Sequence, residues 1–300
     1  MVDIQFFNKM TGKMDVEKVY GDKMVEWLYQ SNTGKALSEV LVKPWLSHFY
    51  GSLQNTSWSK GKIKPFIKDF NIPLDDFLPE EGRDQSDPYS SFNQFFIRRF
   101  KPGKRHFPNE SHLMGAPAEA RYYAYESIQD DELIPVKGKF LNSPLLLANT
   151  KWENIFKDGP CLLARLCPVD YHRYHYPDNG TVLDHYPVHG KLHSVNPLAL
   201  KEKADIFATN ERVVTILETE NFGKLAYVEV GAIMVGKIIQ SGSLTNFSRG
   251  EEKGYFLFGG STVIVLGEKG KWKPDDLMIQ NTKKKIETYA HLGANIAHKI

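Results

Sequence analysis

Cysteine is nearly missing from this chain: Cys161 and Cys167 are the only two in 300 residues. Two thiols are too few for a disulfide scaffold, and their spacing matches no zinc site. An excess of one charge is missing as well. Thirty-eight basic residues face 36 acidic ones, a formal net charge of +2, so the overall balance implies no nucleic-acid partner. Long apolar runs are absent. Leu145 to Ala148 and Val263 to Leu266 are typical, far below the roughly 20 residues of a spanning helix, and the start shows no signal-peptide core. No segment repeats at a fixed period. The expectation is a soluble or peripherally attached protein of a reducing compartment. What is present is globular: 41% hydrophobic and 25% charged residues, with enough chain for one large domain or two ordinary ones.

The chain changes texture along its length. Val16, Val19, Tyr20, Met24, Trp27 and Leu28, then Leu37, Val40, Leu41, Trp45, Phe49 and Leu53, recur at helical spacing. Gly34 separates the two stretches, and Pro44 should kink or restart the second. Residues 1–70 hold ten Lys against seven acidic residues. An apolar stripe with Trp45, Phe49, Tyr50 and nearby Trp58 either packs on the domain behind it or lies in a membrane interface, and one helix pair can do both. Residues 69–87 are acidic and turn-rich. The sign then reverses, with five basic residues between Arg98 and Arg105, read either as a solvated face or as a site for a phosphate-bearing partner. From about residue 113, β-rich runs alternate with Gly, Pro and Asn-Gly. They are Tyr122–Tyr125, Thr181–Leu183, Val213–Leu217, Leu225–Val230, Ile233–Ile239 and Tyr255–Leu266. Long helices do not alternate with these strands, which excludes a doubly wound sheet. The fold class expected is α+β: a helical N-terminal region over 1–70, then a largely antiparallel β domain over 71–300.

Three features carry candidate chemistry. His185, His189 and His193 recur every fourth residue, but Pro187 and Gly190 break a helix there. A strand would only place them on one face, and no metal site is expected. Asp170-Tyr171-His172-Arg173-Tyr174-His175-Tyr176-Pro177 sets two histidines three apart before an Asn-Gly turn. Imidazole suits proton transfer near neutral pH, although a polar aromatic loop would look the same. Phe258-Gly259-Gly260-Ser261-Thr262-Val263 interrupts a strand pattern with two glycines just before a serine. That is either a bulge or a strained backbone presenting a hydroxyl for activation. Val263 and the lack of a following helix argue against a hydrolase elbow.

The last segment, preceded by Gly250-Glu251-Glu252-Lys253-Gly254, resembles the self-cleavage site of the phosphatidylserine decarboxylases. Residues 170–177 resemble that family's histidine motif, and Phe95 to Pro102 its Arg-rich segment. Asn210-Glu211-Arg212 resembles its Asn-Glu-Arg element, and Val230-Gly231-Ala232 with Val235-Gly236 its Val-Gly-Ala stretch. The matches keep family order across roughly residues 90–270. One position departs: in Ala116-Pro117-Ala118-Glu119-Ala120, Glu119 stands where the family has Asp.

The resemblance implies a proenzyme. His175, oriented by Glu119, would take the proton of Ser261, whose oxygen attacks the Gly260 carbonyl. The bond after Gly260 would break, leaving chains 1–260 and 261–300 and a covalent pyruvoyl group at position 261. That cofactor would hold phosphatidylserine as a Schiff base, with His172 returning a proton after carbon dioxide leaves. The implied partners are phosphatidylserine in a membrane surface and the two cleaved chains as a heterodimer, possible also as a homodimer of such pairs. No nucleic acid is implied, and the implied location is the cytoplasmic side of the cell membrane, peripherally. Other readings are a pyruvoyl decarboxylase of a soluble amino acid, a serine hydrolase using Ser261, His175 and Glu119, or a lipid-binding module with a decayed site.

Overall fold

β-Branched residues and glycine punctuation generate one dominant sheet. The structure, a computed structural model, describes residues 4–17, 51–128, 143–193, 206–232, 237–259 and 261–300. Among the described residues ten strands form the sheet, in the order Asn246–Phe247, Gly180–Val188, Arg212–Thr219, Gly223–Gly231, Ser261–Gly267, Cys161–Leu166, Ala120–Tyr125, Glu287–Ala290, Gln5–Asn8 and Lys13–Val16. All neighbouring pairs are antiparallel except Gln5–Asn8 with Glu287–Ala290. This agrees with the expected α+β class and antiparallel β domain.

Ser261–Gly267 lies in the middle, and every one of its residues is buried. Burial on both faces explains why Val263-Ile264-Val265-Leu266 reads as an unbroken apolar run instead of an alternating one. Its register is fixed on both sides, Ser261 facing Gly231 on one neighbour and Leu166 on the other. The preceding hairpin, Arg212–Thr219 with Gly223–Gly231, turns through Glu220-Asn221-Phe222, and Gly223 takes the left-handed conformation at φ 68° that closes such a three-residue loop.

The run expected over Tyr255–Leu266 is divided. Glu252–Phe256 belongs to a separate three-stranded sheet with Ile238–Gln240 and Arg173–His175, whereas Ser261–Gly267 belongs to the large sheet. The chain changes sheets just before Ser261. Gly259 does so at φ 146°, a conformation that side-chain-bearing residues seldom adopt. Of the run expected over Ile233–Ile239, residues 233–236 lie outside the described residues, and a strand begins at Ile238.

The start of the N-terminal region differs from its expected helical character. Residues 5–16 form a β-hairpin instead, because Gln5–Asn8 finds a sheet edge at Glu287–Ala290 and the Asn8 side chain caps the turn by accepting from Met10 N and Thr11 N. The helical spacing from residue 18 to 50, with Gly34 and Pro44, lies outside the described residues. Beyond it, Ile63–Phe70 is a helix whose Ile63 and Phe66 join Tyr89, Phe92, Phe95, Phe96 and Phe258 in a second apolar cluster. Among the described residues no helix is long and apolar enough to cross a membrane.

Candidate active site

Ser261 opens the central strand with no exposed surface, and its Oγ lies 3.2 Å from Nδ1 of His172. The other ring nitrogen of His172, Nε2, lies 2.8 Å from the Cys167 carbonyl oxygen. A carbonyl can only accept, so Nε2 carries the hydrogen and Nδ1 presents its lone pair to the serine hydroxyl. Burial pushes the His172 pKa down to about 3, helped by the Arg98 charge and opposed by the bond to Cys167. The imidazole is therefore neutral, in the tautomer that can take a proton from Ser261.

The carbonyl that holds His172 is itself held. Cys167-Pro168-Val169-Asp170 makes a turn in which Asp170 N donates to Cys167 O at 2.8 Å, while the Asp170 carboxylate accepts from Cys167 N at 2.7 Å. Arg121 donates to the same carboxylate at 2.6 Å, and Arg98 donates to the carbonyls of Val169 and Asp170 at 3.0 and 3.2 Å. Behind the turn is a buried ion network. Arg121 lies 2.9 Å from Glu17, and Arg165 spans Glu17 and Glu287. Both cysteines are buried, and neither forms a disulfide.

A second wall comes from the short helix Phe92–Phe96. Ser91 caps it by accepting from Gln94 N, as expected for a Ser-x-x-Gln start. Phe96 stacks on the His172 ring, with centroids 3.8 Å apart and planes inclined by 23°. Asn93 accepts from Phe258 N at 2.8 Å, and Phe258 packs edge-on against Phe92 and Phe96. One helix thus fixes both the histidine and the segment entering the Gly-Ser junction. On the far side, Asn210 donates to the Gly231 carbonyl at 2.7 Å, steadying the register partner of Ser261.

The structure does not assemble the expected relay of Glu119, His175 and Ser261. His175 Nδ1 donates to the Gly250 carbonyl at 2.9 Å, and its Nε2 faces the Tyr171 hydroxyl at 3.5 Å. His172 takes the place beside Ser261. The reason is the extended backbone: residues three apart point to opposite sides, and the side bearing His172 is the one turned to the central sheet. Glu119 is occupied elsewhere. It accepts from Arg105 at 2.6 and 2.9 Å, from the Tyr289 hydroxyl at 3.0 Å and from Leu292 N at 3.3 Å. Gly260 lies outside the described residues.

Sequence reasoning passed over Asn93, Phe96, Cys167 and Asp170. Asp170 was visible within the histidine motif, and Phe96 within the Arg-rich segment. The Cys167 contribution is a backbone carbonyl and leaves no mark in side-chain identity. Of the three spaced histidines, His185 lies on the strand Gly180–Val188 and pairs with the Thr215 hydroxyl at 3.0 Å.

Comparison with known proteins points to one family. A sequence model of the family described as "Phosphatidylserine decarboxylase" matches residues 92–294. The chain is 37% identical over 297 residues to a protein of Clostridium tetani, covering 99% of this chain and 98% of that one. It is 38% identical over 298 residues to one of Clostridium perfringens, covering 99% and 100%. It is 37% identical over 295 residues to one of Desulfitobacterium hafniense, covering 98% and 97%. All three are named phosphatidylserine decarboxylase proenzyme. The motifs, the buried Ser261–His172 pair and relatives matching end to end lead to one conclusion: this chain belongs to the phosphatidylserine decarboxylase family.

Proposed function

We propose that the chain is a self-processing decarboxylase that cleaves its own Gly260–Ser261 bond and then converts phosphatidylserine to phosphatidylethanolamine. The observation that carries this reading is the bare His172 Nδ1 at 3.2 Å from Ser261 Oγ, next to the Gly-Ser junction. His172 takes the hydroxyl proton as Oγ attacks the Gly260 carbonyl carbon. The carbon–nitrogen bond breaks, the proton passes to the nitrogen of residue 261, and an ester replaces the amide. Removal of the α-proton of residue 261 then breaks the Cβ–Oγ bond, and Gly260 departs as a carboxylate. Water hydrolyses the remaining dehydroalanine to a pyruvoyl group and ammonia. An attack on the adjacent carbonyl needs no entry from solvent, which suits a fully buried serine. A serine hydrolase would have to bring an external ester to the same oxygen.

The residues around position 261 fit the group made there: a buried strand end, a neutral imidazole and an apolar wall of Phe96 and Phe258 that excludes water. A pyruvoyl carbonyl supplies an electron sink for loss of carbon dioxide from an amine-bearing acid. His172 is the described side chain placed to hold a proton at this position and return it to the substrate carbon. Burial of Ser261–Gly267 between two neighbouring strands, with Glu287 on Arg165 and Tyr289 on Glu119, supports retention of chain 261–300 after cleavage. Trp58, 75% exposed with the Lys62 ammonium 5.4 Å from its ring centroid, supports contact with a membrane interface.

The test is carbon dioxide release by matured protein from phosphatidylserine vesicles and from free serine, beside Ser261→Ala. Release from the lipid alone, abolished in Ser261→Ala, is expected. Release from free serine alone would overturn the substrate, and ester hydrolysis by an uncleaved chain would overturn the mechanism.

A further inference from the structure

A cavity of about 230 Å³ adjoins the histidine motif and has no part in the self-cleavage chemistry. Its wall includes three arginines, Arg98, Arg99 and Arg173, together with Glu80 and Glu81. Arg98 is the anomaly. It is 3% exposed, yet its donors reach only the carbonyls of Phe95, Val169 and Asp170, and its guanidinium lies over the rings of Phe77 and Phe95. Its Nε has no hydrogen-bond partner, and among the described residues no carboxylate stands at ion-pair distance from it. A buried guanidinium with an unbonded Nε and no carboxylate in direct contact has donor capacity that an anionic ligand nearby can use.

The other two arginines have donors to spare. Arg99 is exposed, and among the described residues its side chain has neither an ion pair nor a hydrogen bond. Arg173 spends Nη1 on both oxygens of Glu252 and Nε on the Ile97 carbonyl, which leaves Nη2 without a partner among the described residues. Glu80 turns both oxygens to Ser90 and Glu81 is exposed, and among the described residues neither forms an ion pair with these arginines. Two chain segments lead from the reacting pair into the cavity wall. Phe96, stacked on His172, runs into Ile97, Arg98 and Arg99, and His172 itself runs into Arg173.

We propose that this cavity receives the phosphodiester of the lipid headgroup, with Arg99 and the free edge of Arg173 donating to its oxygens and Arg98 supplying buried positive charge behind them. The proposal rests on the function proposed above and names the part of that substrate recognised here. In phosphatidylserine three bonds separate the reacting carbon from phosphorus, a short span that suits a cavity whose wall adjoins Phe96 and His172 along the chain. Guanidinium groups suit the task because their paired donors match phosphate oxygens.

The decisive measurement is calorimetric titration of glycerophosphoserine, a soluble diester, into the Ser261→Ala protein, with inorganic phosphate as the second arm. The diester is expected to bind, Arg99→Gln to weaken it at least tenfold, and Arg99→Lys to recover part of the loss. Lys101→Gln, which removes a charge from the same segment outside the cavity, should leave binding unaltered. In matured enzyme Arg99→Gln should raise KM for short-chain phosphatidylserine by more than it lowers kcat. Equal binding of the diester by Arg99→Gln and its parent would overturn the proposal. So would binding of inorganic phosphate without the diester, which would mark a free-phosphate site. If matured protein released no carbon dioxide from phosphatidylserine, the proposed function would fall, while the titration would still decide whether the cavity takes a phosphodiester.

Discussion

Glu17→Gln should destabilise the uncleaved chain by about 3 kcal/mol at pH 7, although residue 17 lies 244 positions before Ser261. The Glu17 carboxylate is buried at the end of the N-terminal hairpin, 2.6 Å from Arg165 and 2.9 Å from Arg121. Burial alone would raise its pKa. The Arg165 and Arg121 charges outweigh that and hold it at about 2, against an ordinary 4.5. Because the folded pKa is depressed, the stabilisation is fully present above pH 4.5 and is lost as pH falls through 2. A drop of that size corresponds to about 3 kcal/mol at 1.36 kcal/mol per pKa unit. The assay is urea unfolding in the Ser261→Ala background, where a single chain is followed, at pH 7 and again near pH 2.5. The gap between Glu17→Gln and its parent should be large at pH 7 and shrink at the lower pH. A gap below about 1 kcal/mol at pH 7, or one unchanged near pH 2.5, would contradict this role for Glu17, since the first means the pair stabilises no more than an exposed one.

Three further outcomes follow from the same geometry. With the His172 pKa lowered to about 3, the base stays neutral, so the first-order rate of self-cleavage should be flat from about pH 8 to pH 5; an inflection near 6.5 would show an ordinary histidine at work. Asn93→Ala removes the acceptor for Phe258 N and should slow self-cleavage roughly 10- to 100-fold by loosening the entry to the Gly-Ser junction, read from time courses of intact mass; a parental rate would discard that role. Glu119→Gln weakens the grip on Arg105 and should lower stability by about 1–3 kcal/mol in the Ser261→Ala background, measured by denaturant unfolding, and an unchanged midpoint would contradict it.

Much of the fold was legible because burial and sequence pattern agree. Val263 to Leu266 reads as a strand covered on both faces, and it is one. The glycines before Ser261 mark a break, and the chain does change sheets there. The hairpin at residues 5–16 was not legible, since its partner strand begins some 280 residues later and local pattern cannot see it. Nor was the ion network. Glu17, Arg121, Arg165 and Glu287 look like surface charge until their mutual contacts explain their burial. In the site, the serine and the histidine motif were visible from side-chain types. Which histidine faces the serine was not: alternation shows that His172 and His175 point apart but not which side the central sheet occupies. The holding groups, the Cys167 carbonyl and the Phe96 ring, depend on tertiary placement alone.

The most direct test is an intact-mass spectrum of freshly purified protein beside His172→Ala and His175→Ala, each incubated to completion. The parent and His175→Ala should split into a 260-residue chain and a 40-residue chain of about 4.6 kDa, the latter blocked at its N-terminus and forming an adduct with hydroxylamine. His172→Ala should stay at 34.3 kDa, because Ser261 Oγ has lost the only ring nitrogen within hydrogen-bond reach among the described residues. An intact His175→Ala with a split His172→Ala would contradict the assignment of the base. A parent that stays whole while releasing carbon dioxide from phosphatidylserine would contradict self-cleavage itself.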